Sequence, residues 1–533
     1  MRGPVQLNRR LLVIATAALT LSVGWVGQAS AAGVPTALRY PMTTDPSPGV
    51  PAPAEPAGSA PQKAIVVMQD QLAGTPADAD HAAARAVAAK GSQDAVLQAL
   101  PGGAPADIEH FTVGNAFTAT LTPEQATALA ADPAVASVTA DQLVPVAPTT
   151  STGVEPAAAA EAAPAAAATS VPPAACSTDP AKPQLEPEAL STINARSDDP
   201  TAKTAAALGI DGSGVKVAFI ADGINPANPG LLRPDGSSAV IDSQDFYGDG
   251  PSAVTNGAEA FGDASAIAAQ GTVSYDVADF ANPAVVAFPG GDCYIRIVGV
   301  APGAAVVAIK AGSELLPNSA ILQAIDYAVT VAHVDVLNES FGGNIYPDSG
   351  ARNTIEVFDD QAVKAGVTVT VSTGDAGITG TIGNPSTDPT VISTGASTDS
   401  RIYEQTGYAL ATKFSATADP AVQRPWLDDN ISSLSSAGIT QNGRTIDLSA
   451  PGEADWAICD DSGRFTGCTN FHGGKSNIQS FGGTSQSAPI TAGVAALVIQ
   501  AYRKTHHGAS PTPALVKRLL TSTTRDLGLP GEE

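Results

Sequence analysis

Apolar positions alternate in some stretches of this chain and run unbroken in others, and the two patterns divide it into a small and a large unit. In the N-terminal part, residues 64–68 read as a short strand and residues 81–100 as an Ala-rich helix, while 110–113 and 116–121 alternate as strands. Thr122, followed by Pro123, Glu124 and Gln125, gives a second helix its hydroxyl cap, and residues 135–138 close as a strand. Further on, residues 215–221, 304–309, 334–338 and 366–372 are apolar runs, and helix-like stretches at 319–332 and 353–365 lie between them. Strands that are apolar on both sides and alternate with helices predict an α/β fold, with a mainly parallel sheet and helices on both faces. In such sheets the working residues gather at the carboxyl ends of strands, where Asp222, Ser340 and Asp375 fall.

One stretch departs from both patterns. Phe481-Gly482-Gly483-Thr484-Ser485-Gln486-Ser487-Ala488-Pro489 leads into residues 490–499, which carry almost no polar side chain. It reads as a tight turn feeding a buried helix, with Pro489 in the first turn, where a missing N–H costs nothing. Ser485 then stands at the helix entrance, where unpaired N–H groups and the positive end of the dipole favour negative charge. A serine that attacks a carbonyl and then stabilises an oxyanion is suited to that place; taken alone, the same residue is an N-cap.

Composition adds compartment and partners. The chain has 533 residues, 44% hydrophobic and 15% charged, with a net charge of -25, which argues against nucleic acid or anionic membrane as a partner. Residues 1–31 read as a signal peptide: Arg2, Arg9 and Arg10, an apolar stretch from Leu11 to Val26, then Ala29-Ser30-Ala31. That stretch is short for a membrane span, so a secreted, extracellular protein without a span after signal cleavage is expected, an uncleaved anchor being the alternative. Residues 32–61 are rich in Pro, Ala and Gly and expected to be disordered; 62–146 form the small domain, 147–185 an Ala/Pro-rich linker, and 186–533 the large domain. Export suits oxidised cysteines: Cys459 and Cys468 bracket a short loop and are the first pair, which leaves Cys176 with Cys293, zinc being the weaker reading.

By these residues the chain resembles the subtilisin-like peptidases. The likeness is carried by Gly483-Thr484-Ser485 with Ser487-Ala488-Pro489, by Gly299-Val300-Ala301-Pro302-Gly303, by Asn338-Glu339-Ser340-Phe341-Gly342 and by Leu448-Ser449-Ala450-Pro451-Gly452. It implies a three-layer subtilisin-like fold, a serine endopeptidase activity on protein or peptide substrates, and an inhibitory propeptide in residues 62–146, so that the chain's own propeptide is a partner. It also implies that Ser340, Phe341 and Gly342 pair by backbone with an extended substrate. No cofactor is required, and a monomer is expected. Asp242, Asp245 and Asp249 could hold structural calcium, but their spacing matches no defined calcium loop and solvated surface is the expectation. Family members usually continue beyond a segment like residues 527–533, so the large domain is expected to be truncated or followed by more chain.

Two triad positions differ from the family's. Where it has Asp-Thr-Gly, this chain reads Ala221-Asp222-Gly223; the carboxylate is displaced by one residue, which along a strand would send it to the opposite face. None of the six histidines lies between Asp222 and Gly299, where the family's base belongs. Glu259 and Asp263 stand there instead, four apart and so on one helix face. This is similar to the sedolisins, in which a Glu is the base, an Asp stands behind it, and another Asp replaces the oxyanion-hole Asn, as Asp375 does here. The resemblance implies Ser485 as nucleophile, Glu259 as general base, Asp263 as its proton-sharing partner and Asp375 as oxyanion donor. Asp222 either supports the pair or merely closes its strand. Two carboxyls held close cannot both ionise cheaply, and Asp375 donates only while protonated, so an acidic operating range follows. The competing reading is a catalytically inactive relative that binds peptides or proteins outside the cell.

Overall fold

The computed structural model describes residues 60–145, 169–172, 174–250, 253–343, 353–377, 379–406, 430–440 and 443–526. The leader at 1–31, nearly all of the tract at 32–61 and the linker portion at 146–168 lie outside the described residues. The small domain consists of β1 (Gln62–Met68), α1 (Ala82–Gln98), β2 (Ala106–Phe111), β3 (Ala116–Leu121), α2 (Pro123–Ala131) and β4 (Val135–Ala140). Its strands form an antiparallel sheet in the order β2-β3-β1-β4. Thr122 caps α2 as expected: Gln125 N–H donates to its hydroxyl (3.2 Å), and the Gln125 side chain accepts from the Thr122 N–H (3.1 Å). Alternation along β1 gives the sheet two apolar faces. Val66 and Met68 pack with Val96, Leu97 and Leu129 of the two helices, while Ile65 and Val67 face the large domain.

A short strand, β5 (Leu143–Pro145), follows the small domain. The large domain then supplies β6 (Lys216–Ala221), β7 (Val240–Asp245), α3 (Ala258–Ala268), β8 (Ala305–Lys310), β9 (Leu315–Pro317), α4 (Asn318–Thr330), β10 (Val336–Glu339), α5 (Thr354–Lys364), β11 (Thr368–Ser372), β12 (Ile392–Ser397) and β13 (Leu448–Pro451). Seven of these strands form one parallel sheet, ordered β13-β12-β11-β10-β6-β8-β7. An antiparallel ribbon, β14 (Ala454–Ile458) with β15 (Ile478–Gly482), leads into α6 (Thr484–Thr505), and α7 (Pro513–Ser522) follows. Period-two alternation in β6 builds the layers. Val217 and Phe219 join α3, α6 and α7 in one core, whereas Ala218 and Ile220 join α4, α5 and the small domain's Ile65 and Phe111 in another. The expected three-layer α/β fold with a small α+β domain before it is the observed one.

The junction between the domains is polar as well as apolar. Asp326 of α4 accepts from the backbone N–H groups of Thr112 and Val113 at 2.7 Å each, and Phe111 meets Phe358 edge-on at 5.5 Å. Burial pushes the Asp326 carboxyl up to about 6 against those donors. β5 pairs antiparallel with β9, Val144 opposite Leu316, so the small domain's tail adds a strand to an edge of the large one.

The boundary placed at Glu186 falls inside a packed segment. Thr169–Ser170 pairs with Val286–Ala287, Gln184–Glu186 pairs with Tyr294–Ile297, and Cys176 is bonded to Cys293. Val171 and Ala175 are buried in the large domain's core, which composition alone did not signal. Cys459 and Cys468 form the other disulfide, so the cysteines pair as their spacing suggested. Asp242, Asp245 and Asp249 do not converge: they answer to Tyr327, to the backbone of the 247–250 turn and to Lys310. Among the described residues no group of three or more His, Cys, Asp or Glu is arranged for a metal, and no helix is long and apolar enough to cross a membrane.

Candidate active site

The site forms where β6, β10 and β11 end and α3 and α6 begin. α3 has no polar face: every residue from Ala258 to Ala268 is buried, which removes the solvated-surface reading of its two acids. Glu259 is 1% exposed and Asp263 0%. Gly257, at φ +75°, turns the chain into the helix, and a Cβ there would lie 2.4 Å from the Phe465 ring.

Asp222 explains how the displaced carboxylate returns to the site. β6 ends at Ala221 and Gly223 takes φ +103°, so the strand parity that would send Asp222 to the other face no longer applies. Its carboxylate accepts from the backbone N–H of Gly257 and of Ala260 (3.0 Å), holding the first turn of α3 from outside the helix. Burial pushes Asp222 up to about 7, with those donors and nearby Lys310 pulling against it.

α6 begins at Thr484, after Gly483 at φ +93°, and puts Ser485 one residue inside the helix, 2% exposed. Pro489 is not in the first turn, as the sequence suggested, but in the second. The N–H it lacks is the one that would answer the Ser485 carbonyl. Ser340 Oγ stands 3.0 Å from that carbonyl instead, and the Ser485 hydroxyl reaches the Ser340 carbonyl at 3.5 Å, the outer limit of a hydrogen bond.

The two acids of α3 are served unequally. Asp263 Oδ1 accepts from Ser340 Oγ (2.8 Å) and from Asn338 Nδ2 (3.2 Å). Asp263 Oδ2 and both Glu259 oxygens have no hydrogen-bond partner among the described residues. Burial raises both carboxyls well above their ordinary range; Asp263, Asp222 and Asp375 raise Glu259 further, and Asp222 does the same to Asp263. The Ser485 hydroxyl is close enough to favour ionised Glu259, but no Glu259 oxygen meets it at hydrogen-bond geometry, so that bond is unformed at rest. Asp375 follows β11. Its Oδ1 accepts from the Thr484 N–H (2.9 Å) and hydroxyl (2.8 Å), Oδ2 is unpartnered among the described residues, and burial raises the group. A Cβ on Gly483 would lie 2.4 Å from that Oδ2, so only glycine admits the carboxyl there.

The structure therefore brings Ser485, Glu259, Asp263, Asp222 and Asp375 together. It treats the expected substrate segment differently. The Ser340 hydroxyl points inward at Asp263, and Phe341 is 1% exposed in the core on the sheet's far side, so its side chain is no substrate contact. Gly343 exchanges both backbone hydrogen bonds with Asn384 (3.1 Å each), and a Cβ on Gly342 would lie 2.3 Å from the Asn384 carbonyl, so one side of this segment is already paired. Asn338 and Thr484 received no role in the sequence analysis. Asn338 shares strand parity with Ser340, a signal that could have marked it. The histidines stand elsewhere: His81 by Asp78, His110 by Gln93, His333 on the Val329 carbonyl, His506 stacked on Tyr502, and His472 and His507 exposed.

Comparison with known proteins agrees with this architecture. The profile of the subtilase family matches residues 212–533, and that of the peptidase inhibitor I9 family matches residues 65–147. A subtilisin of Bacillus pumilus is 28% identical over 326 residues, 60% of this chain and 87% of that protein. Subtilisin E of Bacillus subtilis (strain 168) is 27% identical over 326 residues, with 63% of its own length covered. Among solved structures, fervidolysin from Fervidobacterium pennivorans, a keratinolytic enzyme related to subtilisin, aligns with 91% of this chain and 60% of its own. Its TM-score is 0.53 at 18% identity, a likeness of fold.

Proposed function

The chain belongs to the subtilase family and is a serine-type endopeptidase, and we propose that carboxyl groups do in it the work of the missing imidazole. The observation that carries this reading is the convergence of three buried carboxyls, Glu259, Asp263 and Asp222, and the half-buried Asp375 around Ser485, with no histidine among them. Ser485 Oγ attacks the substrate's carbonyl carbon while Glu259 takes its proton, Asp263 sharing the load. The oxyanion is met by N–H groups at the start of α6 and by the Asp375 carboxylic acid, whose unpartnered Oδ2 is the oxygen that would carry the proton. The C–N bond then breaks, Glu259 returns its proton to the leaving amine, and water repeats the sequence on the acyl-enzyme. Asp222 holds the first turn of α3 and, through it, Glu259.

The pH dependence follows from the signs. Glu259 works only after losing its proton, which gives a rising limb, and Asp375 only while keeping its own, which gives a falling one; burial moves both limbs upward. We place the maximum on the acid side of neutrality, and a profile peaking near pH ~8 contradicts it. The small domain matches an inhibitor family, and its strand β5 covers the β9 edge where a substrate strand would add. The leader-like N-terminus and the two disulfides support export. A fluorophosphonate probe applied from about pH 3 to 8 tests the whole. Labelling that disappears in Ser485→Ala and collapses in Glu259→Gln is expected; no labelling at any pH would return the chain to a peptide-binding role.

A further inference from the structure

Ser340 sits between two acceptors that cannot both have its single proton. One is Asp263 Oδ1 at 2.8 Å, on the helix that carries the proposed base. The other is the Ser485 carbonyl at 3.0 Å, which lacks its helical donor because residue 489 is proline. Asn338 Nδ2 donates to Ser340 Oγ (2.9 Å) and to Asp263 Oδ1 (3.2 Å), and the Thr370 hydroxyl donates to Asn338 Oδ1 (3.1 Å), which fixes the amide in that orientation. The Ser340 lone pair that faces Asn338 is thus occupied, and only the hydroxyl proton is free to turn. Ser340 and Asn338 are 1% and 0% exposed.

We infer that Ser340 is a positioning residue for the proton of the Glu259/Asp263 pair, turning its hydroxyl toward Asp263 when that carboxyl is charged and toward the Ser485 carbonyl when Asp263 holds the proton. The inference rests on the carboxylate-base reading above. While Asp263 is charged, Ser340 and Asn338 anchor it and the shared proton stays on Glu259, which is then no base. When Asp263 takes the proton, Ser340 swings to the carbonyl that Pro489 leaves free, and Glu259 is released to accept from Ser485. The Ser340 hydroxyl finds an acceptor in both states, so its turn leaves that donor satisfied, while Asp263 Oδ2 and the Glu259 oxygens have no partner among the described residues. The charged groups facing the pair are Asp222 from the end of β6 and Asp375 from the end of β11, with Lys310 acting through Asp222.

Two substitutions push this device in opposite directions. Pro489→Ala restores the backbone N–H to the Ser485 carbonyl, leaving the Ser340 proton to Asp263 alone. Charged Asp263 is then favoured, and the rising limb of the acylation profile moves up by about one pH unit. Ser340→Ala removes a donor from Asp263, which then holds the proton more readily, and the limb moves down by about one unit. Ser340→Thr, which keeps the hydroxyl, returns it toward wild type. The measurement is the rate of fluorophosphonate acylation against pH for each full-length chain, with Glu259→Gln alongside. Limbs that coincide with wild type, or that move together, overturn the inference while a dead Glu259→Gln leaves the base assignment standing. An active Glu259→Gln overturns both.

Discussion

Two buried carboxyl pairs lie on opposite faces of the same sheet, and only one of them adjoins a nucleophile. Glu259 and Asp263 share the face with Ser485. Glu339, at the end of β10, and Asp359, on α5, interact with one another on the far face, both fully buried. Burial raises all four; Glu339 is pushed up to about 8, with nearby Asp388 adding to the rise and Asp359 opposing it. A raised carboxyl therefore does not mark catalysis by itself. What separates the pairs is what stands beside them: a helix-entrance hydroxyl, an oxyanion-side acid with one unpartnered oxygen and a polar strand end in one case, further acids and packed apolar side chains in the other.

The sharpest way to break this contrast is neutral substitution of one member of each pair. Glu259→Gln is expected to lower the acylation rate by about 10²–10⁴-fold with the melting temperature unchanged or raised. Asp359→Asn is expected to leave the rate within about twofold and to act on stability instead. The sign is fixed by linkage: Glu339 and Asp359 titrate above their unfolded values, so their contribution is fully present below those unfolded values and is lost as pH rises through the raised ones, about 8 for Glu339. Wild type should lose on the order of a few kcal/mol over that range, and Asp359→Asn should flatten the slope of melting temperature against pH. Equal activity losses in the two variants would erase the distinction.

Asp375 refines it on the catalytic side. Asp375→Ala should cost about 10²–10³ in rate, whereas Asp375→Asn, an amide that donates at every pH, should keep most activity and lose the falling limb. The smallest effect belongs to Thr484→Val, which removes one of two donors from Asp375 and should carry the falling limb upward by less than about one unit.

Much of the architecture was legible in the chain. Apolar runs such as 215–221 and 366–372 announced buried parallel strands, and the Thr122 cap set the start of α2 to the residue. The edges were harder. β7, β12, β13 and the β14–β15 ribbon are short and mixed in character, and the Cys176 segment reads as low complexity until its pairing with Tyr294–Ile297 is seen. At the site, spacing placed Glu259 and Asp263 on one helix face but gave no sign of which side that face would meet. The inward turn of Ser340 was hidden for a different reason: it depends on Pro489, some 150 positions on, and on a carbonyl that no local pattern exposes.

β10 also sets a limit on how this chain can change. Asn338 and Ser340 look toward the nucleophile while Glu339, between them, looks away. A slip of one residue in that strand would exchange the two sides, presenting a bare acid to the nucleophile and sinking a hydroxyl among the aliphatic side chains behind the sheet. Substitutions in β10 trade one side chain at a time, but a single deletion there rewires the chemistry and the packing together.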